Sequence, residues 1–247
     1  MPLIISHRGA NKYAPQNTLP AFSKAVKLMA DGIETDVHLS KDGEIVICHN
    51  YTVDATSNGK GLIDDMTFSE LRKFDFGSYF SSDFKGTLIP TLSELLEIVK
   101  NMTMVNIEIK PPKKPNDLVK RTVEEIHKFG IEKNVIISCF DPECIRLSKE
   151  IAPEIKTGFL YETGDLAEEV RKYGIAKYCK ELKADAAHPE KILITKEEVD
   201  SLHDAGMAVN PWTVNEYDEI VTLTRMGCDA LITNVPDFCR NVLEDME

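Results

Sequence analysis

Several motifs that would place a chain in a familiar class are missing from these 247 residues. No apolar stretch approaches the roughly 18 residues of a transmembrane helix, and the first residues lack the basic start and long apolar run of a signal peptide. There is no Cys-x-x-Cys pair, no Gly-x-x-x-x-Gly-Lys-Ser/Thr loop, no Gly-x-Gly-x-x-Gly and no Gly-x-Ser-x-Gly. These absences argue against a membrane span, a nucleotide-binding loop and a serine-hydrolase elbow.

Positive charge is also scarce, because 41 acidic residues face 29 basic ones and the formal net charge is −12. Nucleic acids and anionic membranes require Lys and Arg to neutralise phosphates, so we expect neither partner. The six cysteines have no regular spacing, and most lie in apolar runs. Unpaired thiols of this kind are typical of a reducing compartment, so we expect a cytoplasmic protein. The oligomeric state stays unknown.

Short β-branched runs alternate along the chain with longer segments of helical period. The candidate strands are Leu3–Ser6, Ile33–Leu39, Met104–Ile109, Val135–Cys139, Lys156–Leu160, Ala184–His188, Met207–Asn210 and Ala230–Thr233. The amphipathic segments include Leu19–Met29, Leu92–Lys100, Leu118–Phe129, Pro142–Glu150, Lys196–Ala205 and Glu216–Met226. Alternation implies parallel strands, because a parallel pair needs a crossover. Eight units predict an α/β fold, a single (β/α)₈ TIM barrel over residues 1–247, with an open doubly wound sheet as the alternative.

One interval, between the second and third predicted strands, is unusually long. Lys41-Asp42-Gly43 is a turn signal, and Ile45–Cys48 is predicted to return antiparallel to the second strand. An insertion of about residues 50–90 follows and is rich in phenylalanine and tyrosine. We expect these rings to form a small core of the insertion; the alternative is that they wall a substrate pocket.

Charged residues cluster at the carboxyl ends of the predicted strands, where a barrel builds its active site. Glu34 and Asp36 share one face of the second strand, and Glu108 lies on the third. Burying three carboxylates is costly without a cation, and oxygen ligands suit Mg²⁺ or Ca²⁺ better than zinc. The alternative is an internal salt-bridge network with Arg8 and Lys110.

Lys110 also raises a second alternative, a Schiff-base lysine of an aldolase-type barrel. Neighbouring acids should keep this amine protonated and unreactive. With Arg8, it would suit a phosphate or carboxylate group of a substrate. The residues alone therefore predict a metal-assisted acid/base site for an anionic small molecule.

Two histidines are expected at this mouth. His7 ends the first strand, and a hairpin turning at residues 41–43 brings His49 level with the carboxylates of the second strand. His188 closes the sixth predicted strand and is expected to line the mouth. His127 and His203 lie on predicted helices and are expected to be solvated.

An ordered set of short motifs resembles the glycerophosphodiester phosphodiesterase family. The matching segments are His7-Arg8-Gly9-Ala10, Ala14-Pro15-Gln16-Asn17-Thr18, Glu34-Thr35-Asp36-Val37, Lys41-Asp42-Gly43, His49-Asn50, Ile89-Pro90-Thr91-Leu92, Asn106-Ile107-Glu108-Ile109-Lys110, Trp212-Thr213-Val214-Asn215 and Thr233-Asn234-Val235-Pro236. Each motif is weak alone, but together they cover nearly the whole chain in the family's order. The resemblance implies metal-dependent hydrolysis of glycerophosphodiesters to sn-glycerol 3-phosphate and an alcohol.

The resemblance also implies roles for particular residues. His7 and His49 correspond to an acid/base pair, and Glu34, Asp36 and Glu108 to the ligands of one divalent cation, Mg²⁺ or Ca²⁺ with Mn²⁺ also accepted. Arg8, Lys110 and Trp212 correspond to substrate-binding positions, of which Trp212 would wall the pocket.

Two positions depart from the family pattern, Gln16 for the usual Glu and Asn50 for the usual Asp. An amide at position 50 is no anionic partner for His49, so we expect a lower pKa of that histidine than in relatives. Alternative functions are a lysophospholipase D-like phosphodiesterase on the same barrel and a non-catalytic phosphodiester-binding barrel.

Overall fold

A computed structural model describes residues 1–112 and 117–246, without the side chains of residues 165–167. The strands of this part of the chain are β1 (Leu3–His7), β2 (Gly32–Leu39), β3 (Ile45–Ile47), β4 (Met104–Ile109), β5 (Val135–Cys139), β6 (Lys156–Tyr161), β7 (Ala186–Pro189), β8 (Ala208–Val209) and β9 (Ala230–Thr233). The helices are α1 (Leu19–Lys27), α2 (Phe68–Leu71), α3 (Leu92–Val99), α4 (Leu118–Phe129), α5 (Pro142–Ile151), α6 (Asp165–Tyr173), α7 (Ile175–Leu182), α8 (Lys196–Asp204), α9 (Tyr217–Met226) and α10 (Pro236–Asp245).

The strands other than β3 run parallel in the order β8-β7-β6-β5-β4-β2-β1-β9, and β3 pairs antiparallel with β2. Backbone hydrogen bonds then join the chain after β8 to β9, from Asp229 N to Val209 O at 2.9 Å and from Val214 N to Ile232 O at 2.9 Å. These bonds bring the two ends of the strand order together. The predicted (β/α)₈ barrel is confirmed, and the open sheet is wrong.

The alternation of side chains along β2 and β4 explains why polar groups point into the barrel. On β4, Val105, Ile107 and Ile109 join the core between the strands and the helices. The residues between them, Asn106 and Glu108, line the interior instead. Because successive side chains of a strand point to opposite faces, one face of each strand serves packing and the other serves the site.

The insertion after β3 has a small core of its own, as expected. Val46, Cys48, Val53, Ile63, Leu71, Phe76 and Ile89 are buried together there, with Met66, Phe68 and Phe74 packed against them. Tyr79 and Phe80 of the same segment are exposed. None of the insertion's phenylalanines, all of which the structure describes, lines the barrel's main cavity. Tyr51, at the start of the segment, does line it, so the alternative of an aromatic pocket wall is wrong for the phenylalanines and holds only for this tyrosine.

The observed elements differ from the sequence expectation mainly in their bounds. Strand β7 begins at Ala186 rather than Ala184, and β8 is reduced to Ala208–Val209. Helices α6, α7 and α10 lie outside the amphipathic segments identified in the sequence. All six cysteines are buried and free. In the described ranges, every helix falls short of the length and apolar character that crossing a membrane requires.

Candidate active site

A cavity of about 720 Å³ opens at the carboxyl ends of the parallel strands. It brings together most of the residues singled out from the sequence: His7, Arg8, Glu34, His49, Glu108, Lys110 and Trp212 all line it. Asp36 is fully buried beside them and contacts both Arg8 and Lys110. The expectation that these residues share one mouth of the barrel is confirmed.

Three buried carboxylates form a tight cluster at the base of this cavity. Glu34, Asp36 and Glu108 each offer an oxygen, and these oxygens lie within 4.8 Å of one another. The register explains the contact, because Asp36 of β2 stands opposite Glu108 of β4. Burial and the neighbouring Asp36 charge raise the pKa of Glu108 to about 7, and they raise the pKa of Glu34 well above its usual range.

Two cationic side chains partly compensate the cluster. Lys110 Nζ lies 2.8 Å from an Asp36 oxygen and also pairs with Glu108. Arg8 Nε lies 3.4 Å from the other Asp36 oxygen. Burial raises the pKa of Asp36, but Lys110 and then Arg8 together lower it by more than burial raises it, so the net shift is downward. Burial lowers the pKa of Lys110 less than Asp36 and Glu108 raise it, so the net shift is upward and favours the protonated amine.

The salt bridges of the alternative interpretation therefore exist, but they leave Glu34 uncompensated. Among the described residues its one ion-pair partner is the His7 imidazole, at 3.9 Å. Two cations cannot balance three carboxylates, and burial, followed by the charge of Asp36, raises the pKa of both Glu34 and Glu108. In addition, the buried Asn106 Oδ1 has no hydrogen-bond partner in the described structure. A set of hard oxygen donors with an unmet negative charge fits a divalent cation such as Mg²⁺ or Ca²⁺.

The ring of His7 is held by an amide from the far end of the chain. Nδ1 lies 2.7 Å from Asn234 Oδ1, which also accepts a hydrogen bond from Asn11 Nδ2 at 2.7 Å. Because an amide oxygen only accepts, Nδ1 must carry the proton and Nε2 keeps its lone pair. Burial, followed by the charge of Arg8, lowers the pKa of His7 to about 3, so the ring is neutral at pH 7.

His49 has a matching arrangement at the end of the hairpin. The observed pairs Val37–Ile47 and Leu39–Ile45 confirm the predicted register. His49 Nδ1 lies 2.8 Å from Asn50 Oδ1, so here too Nδ1 carries the proton and Nε2 is free to accept. Burial lowers the pKa of His49, and Asp36 opposes that shift.

Supporting contacts that the sequence reasoning did not single out hold the cluster in place. Asn17 Nδ2 donates to Asp36 Oδ2 at 2.8 Å, and Gln16 Oε1 accepts from Arg8 Nη1 at 2.7 Å. The Arg8 backbone N–H donates to Glu34 Oε2 at 2.9 Å. That turn continues through Gly9 at φ +75°, where a Cβ would come within 2.7 Å of the Ala21 backbone. The His7-Arg8-Gly9 motif therefore positions a carboxylate as well as supplying side chains.

The expectation for His188 is wrong. Its side chain is fully buried, lies outside the cavity lining, and has Nε2 3.0 Å from Asn210 Nδ2. A Cβ at Gly158 would come within 2.4 Å of the same ring, so the histidine fills space that a glycine leaves below the cavity floor. His127 and His203 are exposed, as expected.

The opposite side of the cavity has a different character. Phe140 follows β5, Leu160 is on β6, Trp212 follows β8 and Ile232 is on β9, and all four line the cavity. We call these four side chains the apolar wall. The Phe140 and Trp212 rings meet edge to face with centroids 5.6 Å apart. Sequence reasoning identified only Trp212, because the other three read as ordinary core residues.

Comparison with known proteins finds relatives that match nearly the whole chain. The sequence model of the glycerophosphoryl diester phosphodiesterase family matches residues 7–238. A glycerophosphodiester phosphodiesterase of Caldanaerobacter subterraneus subsp. tengcongensis is 37% identical over 98% of this chain and 97% of its own. An enzyme of the same description from Bacillus altitudinis is 33% identical over the full length of both chains.

Solved structures agree with the sequence matches. An Oleispira antarctica phosphodiesterase in complex with the product sn-glycerol-3-phosphate superposes with a TM-score of 0.88 at 26% identity, covering 99% of this chain and 97% of its own. The glycerophosphodiester phosphodiesterase of Thermotoga maritima gives a TM-score of 0.79 at 26% identity, covering 98% of both chains. The chain belongs to the glycerophosphoryl diester phosphodiesterase family.

Proposed function

We propose that this chain hydrolyses glycerophosphodiesters to sn-glycerol 3-phosphate and an alcohol. The observation that carries the proposal is one cavity that joins three buried carboxylates, two histidines and two cationic side chains. The relatives described as glycerophosphodiester phosphodiesterases, and the neighbour solved with sn-glycerol-3-phosphate as its product, support this substrate class.

Glu34, Asp36 and Glu108 are the residues that would hold one divalent cation, Mg²⁺ or Ca²⁺ with Mn²⁺ also suitable. Such a cation would neutralise the carboxylates and polarise a phosphoryl oxygen of the substrate. Lys110 and Arg8 already pair with these acids, so they would face both the carboxylates and the phosphate. Together with a divalent cation, their charges would give the cavity the positive potential that a singly charged phosphodiester requires.

The two histidines move the protons. In each ring the Nδ1 N–H donates to an amide oxygen, so Nε2 is the atom that takes up or gives up a proton. Arg8 disfavours the protonated form of the deeply buried His7, whereas the leading electrostatic effect on His49 is that of Asp36, which favours protonation. We therefore assign proton acceptance in the first step to His7 and proton donation to the leaving alcohol to His49.

The nucleophile in this mechanism is the 2-hydroxyl of the substrate's glycerol. His7 removes its proton, and the oxygen bonds to phosphorus in a five-membered ring. The bond to the leaving alcohol breaks as His49, which enters this step as an imidazolium after taking a solvent proton on Nε2, protonates that oxygen. Water then opens the cyclic phosphate with the two histidine roles reversed, giving sn-glycerol 3-phosphate. A substrate with a methylated 2-hydroxyl should bind comparably and react orders of magnitude more slowly, whereas direct attack by water would leave its rate nearly unchanged.

The proposal is tested by supplying the purified chain with a glycerophosphodiester and measuring sn-glycerol 3-phosphate release with a coupled dehydrogenase. Chelation should abolish release, and added Mg²⁺, Ca²⁺ or Mn²⁺ should restore it. The variant Glu108→Gln should be inactive, while Glu97→Gln, at an exposed acid paired with Lys100, should match the wild type. Binding without turnover at any cation would instead favour a non-catalytic barrel, and borohydride trapping at Lys110 would favour an aldolase.

A further inference from the structure

His38 is a buried histidine that the proposed mechanism does not use. It follows Asp36 by two residues on β2 and therefore lies on the face of the strand that carries Glu34 and Asp36. Its side chain is buried and does not line the cavity. Any effect of His38 on the reaction must therefore pass through a neighbouring residue.

The His38 ring forms a hydrogen bond to the backbone of His49. Burial lowers the pKa of His38, whereas this bond raises it, so the ring nitrogen donates and the His49 carbonyl oxygen accepts. Among the described residues, Nε2 of His38 has no hydrogen-bond partner. The donor to His49 is therefore Nδ1, which must carry the proton of the ring.

This hydrogen bond lies where the ladder of the hairpin has ended. Strand β3 ends at Ile47, and the next residue, Cys48, still donates its backbone N–H to Asp36 O at 3.1 Å. Within residues 1–112 and 117–246, His49 makes no hydrogen bond to another backbone group. The His38 side chain thus takes the place of a ladder bond at the residue that carries the imidazole of the site.

Tyr51 connects the His38 ring to a second strand end. The two rings meet edge to face, with centroids 5.1 Å apart and an interplanar angle of 73°. The Tyr51 hydroxyl donates to Pro111 O at 2.8 Å, in the loop directly after Lys110. The His38 ring therefore lies in a chain of contacts between the hairpin that carries His49 and the end of β4.

We propose that His38 is a positioning residue, whose Nδ1–H fixes the peptide of His49 and thereby directs the His49 ring into the cavity. This inference rests on the proposed function, in which His49 donates a proton to the leaving alcohol. A proton donor that is slightly misplaced slows the chemical step without weakening substrate binding. Loss of the His38 donor should therefore lower kcat and leave KM unchanged.

Three variants at position 38 separate the hydrogen bond from the volume of the ring. His38→Leu removes the donor, His38→Asn keeps an N–H near the place of Nδ1, and His38→Gln keeps one near the place of Nε2. His38→Leu should lower kcat about two- to tenfold, the loss expected for one hydrogen bond, with unchanged KM. His38→Asn should recover most of this loss and His38→Gln should not. Wild-type kcat in His38→Leu, or equal kcat in the Asn and Gln variants, would overturn the assignment.

The affinity for the divalent cation provides the control, because His38 is also close in sequence to Asp36. Calorimetric titration of each variant should give the wild-type affinity. A loss of cation affinity that parallels the loss of kcat would place the effect on Asp36 and overturn the assignment to His49. If His38→Leu does not fold, as judged by thermal unfolding, the comparison of the Asn and Gln variants decides.

A measurement without turnover separates this inference from the proposed function. Nitrogen–proton correlation spectra of the imidazole rings, with the His49 signals assigned from His49→Ala, report the environment of that ring directly. His38→Leu should shift or broaden the His49 signals and leave those of the exposed His127 and His203 in place. Unchanged His49 signals in this variant would overturn the inference. An inactive wild type whose His49 signals respond as expected would overturn the proposed function and retain the positioning of His49.

Discussion

The two sides of the cavity differ in how they are built. Around β1, β2 and β4, most of the side chains are buried and ionisable, and His7, Asp36 and Lys110 each contact a residue distant in sequence. Around β5, β6, β8 and β9, the lining is apolar apart from Glu162 at the rim. The first side is suited to proton transfer and phosphate chemistry. The second offers area and shape, which suit recognition. Changes on the first side should lower kcat, and changes on the second should raise KM.

Of the substitutions that test this contrast, those at the two histidines should have the largest effect on the kinetic constants. Replacing His7 or His49 by Ala should lower kcat by about 10²–10⁴-fold with little change in KM, because proton transfer is completed only in the transition state. His127→Ala, at an exposed histidine bonded to Glu154, is the control and should leave steady-state kinetics unchanged. Retention of near wild-type kcat in His49→Ala would remove that residue from the mechanism.

Asn234 offers a smaller test of the same side, because it acts on the reaction only through His7. Asn234→Ala removes the acceptor that keeps the proton on His7 Nδ1, and the loss of one hydrogen bond should lower kcat roughly tenfold. Asn234→Asp retains an acceptor oxygen and should recover much of this loss while raising the pKa of His7. Identical kcat values for wild type and Asn234→Ala would show that His7 needs no orientation.

Trp212 tests the opposite side. Trp212→Leu removes aromatic area from the apolar wall but leaves the ionic cluster intact, so KM should rise about fivefold while kcat stays close to the wild-type value. Steady-state kinetics on one glycerophosphodiester measure both constants. A fall in kcat with unchanged KM would mean that the two sides are not separable.

Asn50 gives the smallest effect, a shift of the pH–rate profile. Asn50→Asp places a carboxylate beside His49 Nδ1, and a negative neighbour favours the protonated ring, so the pKa of His49 should rise. The limb of the profile that reports this histidine should move to higher pH, with little change in the maximal rate. A profile identical to that of the wild type would show that His49 does not titrate in the assayed range.

The contrast between the charged and the apolar side of the cavity also explains which features could be predicted from the sequence. Strand periodicity and turn signals were enough for the barrel and for the β2–β3 hairpin register, which placed His49 correctly. The acids were recognisable because charged residues alternate with core residues on β2 and β4. The length of β8 was overestimated, because the strand ends at Val209. The chain beyond it is not a strand, although Pro211 O and Val214 N still form hydrogen bonds with the backbone of Ile232 in β9.

Other parts of the site leave no local sequence signal. Asn234 lies 227 residues from His7 and becomes its partner only when the barrel closes. In the sequence, Phe140 and Leu160 resemble core residues and Glu162 resembles a solvated acid. Only the structure shows that all three line the same cavity. The prediction for His188 was wrong because the sequence does not show whether a side chain at a strand end faces the cavity or the core. Here the imidazole occupies space that is available only because Gly158 has no side chain.

Calorimetric titration of the metal-free protein with a divalent cation tests the central claim, that the carboxylate cluster is a cation site, most directly. The raised pKa of Glu108, about 7, means that this carboxyl carries a proton at lower pH. Cation binding should therefore release protons at about pH 6 and fewer at about pH 8.5, and the affinity for the cation should decrease as the pH is lowered. We expect one cation per chain, proton release that follows the buffer's ionisation enthalpy, and loss of binding in Asp36→Asn and Glu108→Gln. Absence of binding in the wild type, or unchanged binding in both variants, would contradict the account.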